Sequence, residues 1–395
     1  MQSIADATAR IQALIARVPA ETVALDDADG RVLAAPIVAA RPLPGFDHSA
    51  MDGFAVRAAD LPATLPVVGA VAAGARAPAV LAAGTAVRIM TGAPMPPGAD
   101  AVVMFEDARD DGATVTLPAT ARGSHVRCVG EDVAIGDVVI AAGTRLGAGE
   151  LTVAAALGCA TVAVARRPRV AILATGDELR PITAALGPGE VVDSSGYGMR
   201  AAVRAAGGVP DYLGVVVDDR AATAAAIERA LAADVVITTG GVSAGDHDHV
   251  RGALVDAGVT LDFWKVALRP GKPLAVGQRG ATTVFALPGN PVSSWSSFEL
   301  FVRPALLAMQ GARATTRPRA PVVLVDGYRK AAGRAHVLRA SVVRDGATLV
   351  ATPHPRQGSG MQSSLVGVDA LVEIAAEVTV VEPGATALAW LLVSV

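Results

Sequence analysis

Between residues 166 and 310 the chain alternates short apolar runs with segments of helical period, and few folds accommodate that pattern. Val170 to Ala174 is a continuous apolar run that ends in Thr175-Gly176-Asp177. A helix-period stretch, Tyr197 to Ala206, separates it from Tyr212 to Val217, which ends in Asp218-Asp219. Ala224, Ile227 and Leu231 then share a helical face, and Val235 to Thr239 follows, ending in Gly240-Gly241. Leu274 to Val276 and Thr283 to Leu287 complete the series. The latter enters a long helix marked by Val292, Trp295, Phe298, Val302, Leu306 and Met309. Strands buried on both faces read as unbroken apolar runs, and strands separated by helices pair in parallel. The region is therefore predicted to be a doubly wound α/β domain around a parallel sheet.

At 395 residues the chain is too long for one ordinary core. Residues 1–40 are predicted to be mainly helical, with Ser3 as N-cap and Ile4, Ile11, Leu14, Ile15 and Val18 on one face. Residues 41–140 look β-rich, with a turn signal at Asp111-Gly112. Residues 141–165 carry a helix-like run, Glu150 to Leu157, and a strand-like run, Thr161 to Val164, expected to return onto the N-terminal helix. Residues 311–395 are β again, with a hairpin signal at Asp345-Gly346, and are expected to form a small barrel or sandwich.

Composition excludes several classes. The net charge of -3 argues against a general nucleic-acid binder. The longest apolar stretch, Leu151 to Ala165, is broken by Gly158 and Thr161 and falls short of the roughly 18–20 residues of a membrane span. Asp6 and Arg10 interrupt the first segment, so it reads as no secretory signal and the chain as cytoplasmic. Two cysteines, Cys128 and Cys159, exclude a disulfide framework and a four-cysteine zinc site. Lysine is rare: Lys265, Lys272 and Lys330 are the only three.

Ligands of open α/β sheets bind beyond the carboxyl ends of the strands. Those ends read TGDEL (175–179), VDD (217–219), TGGVSAGDHD (239–248) and LPGNPVS (287–293). Gly240 and Gly241 let the backbone come close to a ligand, and hydroxyls such as Ser243 can hold its oxygens. In the last segment, Gly289 suits a sharp turn, Asn290 a helix cap and Pro291 the first helical position, which leaves free amides near Ser293. No GxxxxGK[ST] or strand-linked GxGxxG occurs, so neither a nucleotide P-loop nor a dinucleotide site is indicated. Arg269 and Lys272 present two cations in the stiff segment Arg269-Pro270-Gly271-Lys272-Pro273. Asp177, Glu178, Asp218, Asp219, Asp246 and Asp248 fall along one sheet edge. They would repel an anionic ligand unless Mg²⁺ bridged one or two of them to its phosphate. His247 and His249 flank Asp248 without the spacing of a zinc site. Loops around Asp47 to Leu61, Ile89 to Val103 and Gly130 to Val133 hold a second constellation that fits a ligand or an interface.

The motifs SAMDGFAVR, TGAPMPPGADAVV, GEDV, ATGDEL, DSSG, TTGGVSAGD, LRPGKPLAVG and LPGNPVSS run in this order through nearly the whole chain. In them the chain resembles the molybdopterin molybdenumtransferase family, that of bacterial MoeA and the gephyrin E domain. The resemblance implies an N-terminal dimerisation unit (1–40 with 141–165), an inserted β-domain (41–140), a MogA-like molybdopterin-binding α/β domain (166–310) and a C-terminal β-barrel (311–395). It implies a homodimer whose active site lies at the subunit interface, and insertion of molybdate into adenylylated molybdopterin with release of AMP and use of Mg²⁺. Molybdopterin adenylyltransferase and apo-molybdoenzymes would be the pathway partners, with no nucleic acid or membrane.

Carried across by motif, the acting acids are Asp52, Asp132, Glu178, Asp218 or Asp219, and Asp248, with Glu178 and Asp248 holding the metal. Thr91, Lys265, Arg269, Lys272, Pro288, Pro291, Ser293, Arg339 and Ser363 or Ser364 match the family's oxyanion and pterin-phosphate region. Arg269 stands where lysine is also frequent, and its fork keeps the charge while suiting a tetrahedral oxyanion. Two other functions fit the α/β domain: an ATP-using molybdopterin adenylyltransferase, and a non-catalytic scaffold. The extra β-domains disfavour the first and the intact acid set disfavours the second.

Overall fold

The computed structural model describes residues 1–76, 79–242 and 249–393. Its central sheet has six strands. Four of them, Val209–Val216, Arg169–Thr175, Val235–Thr239 and Thr282–Leu287, run parallel in that spatial order. Side chains alternate between two buried layers: Ile172, Ile237 and Phe285 enter one core, while Leu173, Val236 and Val284 enter the other. That alternation is the two-residue period of a strand covered on both faces.

The sheet is mixed, not wholly parallel as predicted. Ala275–Arg279 pairs antiparallel with Thr282–Leu287, and Thr260–Trp264 pairs antiparallel with Ala275–Arg279. The cause is local. Gly280 and Ala281 alone separate Arg279 from its partner Thr282, and Gly280 has φ 58°. So short a turn closes a hairpin, whereas a parallel crossover needs a dozen or more residues. The long helix that follows consists of Pro291–Ser297, a π turn Phe298–Val302, and Arg303–Met309. Pro304 cannot donate to the helical ladder, and the wider turn before it accommodates the ring.

Helix Ile4–Leu14 begins on Ser3, whose hydroxyl and the Asp6 carboxylate form a capping box. It stops there, so residues 1–40 are not mainly helical. Pro19 and the β-branched pair Thr22-Val23 turn the chain into strand Ala20–Ala24. That strand pairs antiparallel with Thr161–Ala165. The 141–165 segment thus returns to the strand, and its core joins Leu33 and Ile37 to Ala154 and Leu157. The helix packs elsewhere: Ala7 and Ile11 enter the α/β core with Leu306 and Met309. Arg10 grips Asp262 through two bonds of 2.8 Å.

A second six-stranded sheet lies between residues 53 and 117, with Gly53–Val56 and Ala86–Ile89 near its middle. At the C-terminal end the chain closes a barrel of five strands. Ala335–Asp345 pairs with both Thr348–Pro353 and Ala370–Ile374, and Arg319–Leu324 and Thr386–Leu391 complete the ring. The hairpin predicted at Asp345-Gly346 is present, with Asp345 opposite Thr348. Leu268–Arg269 pairs in parallel with Ala335 and His336, tying the barrel to the α/β domain. Among the described residues no helix is long and apolar enough to cross a membrane.

The N-terminal helix should be a structural part of the α/β core. Ile11→Ala, at a side chain 1% exposed, is expected to lower stability by about 2–5 kcal/mol in urea denaturation. A change within about 0.5 kcal/mol would show that the helix is only loosely applied.

Candidate functional site

The parallel strand ends meet in a cleft of about 630 Å³. Thr175 and Gly176, Asp218, Thr239 to Val242, and Pro288 to Pro291 all line it. Gly240 and Gly241 have φ 94° and 63°. A Cβ on Gly240 would lie 2.4 Å from the Thr175 carbonyl oxygen, and one on Gly241 would lie 2.3 Å from a Val250 methyl. Only glycine permits both the conformation and the approach. Gly289 acts differently from the prediction. Its φ is not positive, and its value is closeness: a Cβ there would stand 3.4 Å from the Gly240 Cα.

Of the predicted acids, Glu178 and Asp218 line the cleft. The Glu178 carboxylate folds back over Gly176, where a Cβ would meet its oxygens at 2.6–2.8 Å. Among the described residues it has no hydrogen-bond partner. Asp177 turns away and accepts the Asp218 backbone N–H at 2.9 Å, which fixes the Asp218 loop. Asp219 does not line the cleft. It caps helix Arg220–Ala230 by accepting from the Ala222 N–H at 2.8 Å. Of the adjacent pair, Asp218 is thus the cleft residue and Asp219 the structural one. Ser243 and Asp248 lie outside the described residues, as do Asp246 and His247.

One wall went unrecognised in the sequence. Asp193, in DSSG, is buried and lines the cleft. Its carboxylate accepts from the Tyr212 hydroxyl and from the Gly196 N–H. Burial, and then the bond to Asp193, raise the Tyr212 phenol well above its usual range. Arg200 stacks between Tyr197 and Tyr212, at 4.5 and 5.0 Å from the ring centres. Thr175 Oγ1 and Ser194 Oγ are buried at the cleft without a partner among the described residues. Unpaired buried hydroxyls at a cavity wall are suited to a polar ligand.

A smaller pocket of about 230 Å³ adjoins the cleft, sharing Pro273, Pro288 and Asn290 with it. Arg269, Lys272, Ser293 and, unforeseen, Arg334 and Ser359 line it. Asn290 begins the helix but its side chain does not cap it; the amide donates to Ser359 Oγ at 3.3 Å. The turn is therefore bonded to a barrel loop, and the strand end alone does not shape the site.

Arg339 occupies another place than predicted. It is wholly buried and lines neither cavity. Its Nε donates to Ser364 Oγ at 2.7 Å, and its Nη2 to the Arg356 and Gly358 carbonyls at 3.0 and 3.4 Å. Gln357 also bonds to the Arg339 backbone, donating to its carbonyl at 2.8 Å. Arg339 thereby pins the loop that delivers Ser359, Gly360 and Gln362 to the two cavities. Burial pushes its guanidinium down to about 10, so it stays charged at neutral pH. Nη1 has no partner among the described residues. Ser363 is exposed and lines neither cavity, whereas Ser364 is buried against Arg339. Lys265 also lines neither. It sits left-handed, φ 79°, in the loop after Thr260–Trp264, and its N–H donates to the Leu274 carbonyl at 3.0 Å.

Of the residues predicted in the first β-region, Asp52 and Thr91 pair with each other, and neither they nor Asp132 lines the cleft of their own chain. Asp52 accepts from the Thr91 N–H at 2.6 Å and its hydroxyl at 2.8 Å. Those two bonds hold the Asp52 carboxyl below its ordinary range. Asp132 lies exposed on a loop where its N–H donates to the Leu43 carbonyl. No group of three or more His, Cys, Asp or Glu able to hold a metal is present among the described residues. Mg²⁺ does not need one, because it is usually bound by one or two carboxylates with substrate phosphates and waters.

Electrostatics next to the basic pocket are one-sided. His336, paired across strands with Arg269, is buried and its Nδ1 meets the Tyr328 hydroxyl at 3.0 Å. Burial, then Arg269, Lys330 and Arg334, push its imidazole down to about 4. The unfolded chain therefore binds a proton near pH 6.5 that the folded chain refuses, and stability should fall as pH drops from about 6.5 to about 4. Urea midpoints measured across that window should slope less in His336→Gln. Equal slopes in the two proteins would rule out His336 as the source.

Three family descriptions match the chain: the MoeA N-terminal region, domains I and II, over residues 2–158; a probable molybdopterin binding domain over 171–308; and the MoeA C-terminal region, domain IV, over 321–392. Molybdopterin molybdenumtransferase 2 of Mycobacterium tuberculosis H37Rv is 38% identical over 384 residues, covering 93% of this chain and 94% of that one. Molybdopterin molybdenumtransferase of Bacillus subtilis is 36% identical over 365 residues, covering 89% and 85%. The crystal structure of the molybdopterin biosynthesis MoeA protein from Pyrococcus horikoshii OT3 superposes with a TM-score of 0.87 at 30% identity, covering 99% of this chain and 100% of that chain.

Proposed function

The chain belongs to the molybdopterin molybdenumtransferase family of MoeA type, and on that premise we propose how its two adjoining cavities divide the reaction. The protein is a transferase that inserts molybdenum during molybdenum cofactor synthesis. The substrate is read as adenylylated molybdopterin, with molybdate as the metal source and AMP as the second product. The observation that carries this reading is the shared wall: Pro288 and Asn290 face both the acid-lined cleft and the cation-lined pocket.

The cleft takes the phosphoanhydride. Thr175, Ser194 and the Gly240-Gly241 backbone offer hydroxyls and close approach to its oxygens. Glu178, whose carboxylate has no hydrogen-bond partner among the described residues, and Asp248 are the residues that would hold Mg²⁺, and a carboxylate donor set suits that ion. Bound there, Mg²⁺ supplies charge neutralisation at the phosphates being separated. Asp218 lines the same edge on a loop anchored by Asp177. Hydrolysis consumes one water and releases AMP. The pocket takes molybdate, a tetrahedral dianion, between Arg269 and Lys272, with the Ser293 hydroxyl beside them. Cleavage and insertion are coupled by proximity across the turn.

Asp52, Thr91 and Asp132 do not reach the cleft of their own chain. In a homodimer the first β-region of one subunit would bring them to the cleft of the other. The reaction is placed in the cytoplasm, between molybdopterin adenylyltransferase and the apo-molybdoenzymes.

Two substitutions separate the halves. Glu178→Gln should cut AMP release by about 100-fold or more, as loss of a transition-state charge contact does, while pterin binding persists. Lys272→Ala should raise the KM for molybdate by about tenfold and leave pterin binding intact. Unchanged AMP release in Glu178→Gln, or an unchanged molybdate requirement in Lys272→Ala, would remove the corresponding assignment.

A further inference from the structure

The third lysine of this lysine-poor chain, Lys330, is not in the basic pocket, and neither the motifs nor the reaction account for it. Its ammonium donates to the backbone carbonyls of Arg334 and Ala376 at 3.0 Å each and to that of Ala331 at 3.5 Å. The same Ala376 carbonyl accepts the Gly333 N–H at 2.9 Å, and Gly333 has φ 102°, a conformation that favours glycine. On the other side, the Ala335 N–H donates to the Ala267 carbonyl at 2.9 Å. The turn 330–334 is thus fastened both to the barrel and to the loop that carries Arg269 and Lys272.

What the fastened turn carries is Arg334, a residue that lines the basic pocket. Among the described residues no carboxylate lines that pocket. Among the described residues the side chains of Arg269, Lys272 and Arg334 have no ion pair or hydrogen bond. Three unpaired cations beside the hydroxyls of Ser293 and Ser359 repel one another when the pocket is empty, and a tetrahedral dianion relieves that repulsion. A guanidinium can also bond two oxygens of one oxyanion at once, which an ammonium cannot match in geometry.

We propose that Arg334 is a further molybdate-binding residue of this enzyme and that Lys330 is the positioning residue that holds it on the pocket. The proposal rests on the reading that the smaller pocket seats molybdate. The ligand class is a tetrahedral oxyanion. Molybdate and the pterin's own phosphate share that chemistry, and their separate KM values distinguish them.

The test uses the full chain with adenylylated molybdopterin, Mg²⁺ and varied molybdate. Arg334→Ala should raise the KM for molybdate by about tenfold or more, with kcat at saturating molybdate and the KM for the pterin changed less than about twofold. Arg334→Lys should recover part of the loss, which a misfolded barrel would not. Lys330→Met should raise the molybdate KM by less, and Lys330→Met/Arg334→Ala should be no worse than Arg334→Ala alone. An unchanged molybdate KM in Arg334→Ala, with Lys272→Ala affected, overturns this proposal alone. No effect in either overturns the pocket reading beneath it. A raised KM for the pterin instead of molybdate reassigns Arg334 to the pterin phosphate and overturns its role. Additive losses in the double variant overturn the role of Lys330.

Discussion

The site depends on the crowding of three parallel strand ends, where the Gly240 Cα sits so near the Thr175 carbonyl that a Cβ would stand 2.4 Å from its oxygen. Gly289 reaches the same point from the third strand, with 3.4 Å from a built Cβ to the Gly240 Cα. The strands can converge this far because Gly240 and Gly289 carry no side chains at the contact. That convergence turns the edge of an ordinary open sheet into a cleft floored by backbone. Glu178, Asp218 and the Pro288–Pro291 turn all line it. Widening any one of these approaches would separate the carboxylates from the turn.

The turn alone does not make the site. Its second cavity exists because the barrel closes against it, through the parallel pairing of Arg269 with His336 and the contact of Asn290 with Ser359. A single buried arginine, Arg339, organises the barrel loop from Arg356 to Ser364. Removing a buried charge's partners is costly, and so is removing the charge that satisfies buried carbonyls. The loop is accordingly held to the barrel by interactions that an exposed arginine would not provide. The architecture therefore places the acid-lined cleft on the α/β domain and completes the cation-lined pocket only with a second domain.

Much of this was legible in the sequence because it is local. Apolar runs gave the strands, and the residues following each run gave the cleft, since strand ends and ligand sites coincide in open sheets. Long-range placement was not legible. Asp218 and Asp219 are neighbours of the same chemistry, and only the capping bond to Ala222 separates their roles. Arg339 and Ser363 matched motifs, but no local pattern reveals that the first is buried or that the second points away from both cavities. Arg334 and Ser359 lie between motifs and reach the pocket through barrel closure. The antiparallel edge had a signal in Gly280-Ala281 that a reading of strand runs alone passed over. The extended path after Leu14 had one in Pro19.

In the proposed reaction, phosphoanhydride cleavage and molybdenum insertion occur on opposite faces of one turn and are coupled through it. Incubation of the wild-type protein with adenylylated molybdopterin and Mg²⁺, with and without molybdate, tests it when AMP and active cofactor are measured in the same samples. Coupling predicts that AMP release depends on molybdate and that AMP and cofactor appear in equal amounts. Full AMP release without molybdate, with no matching yield of cofactor when molybdate is added, would contradict it.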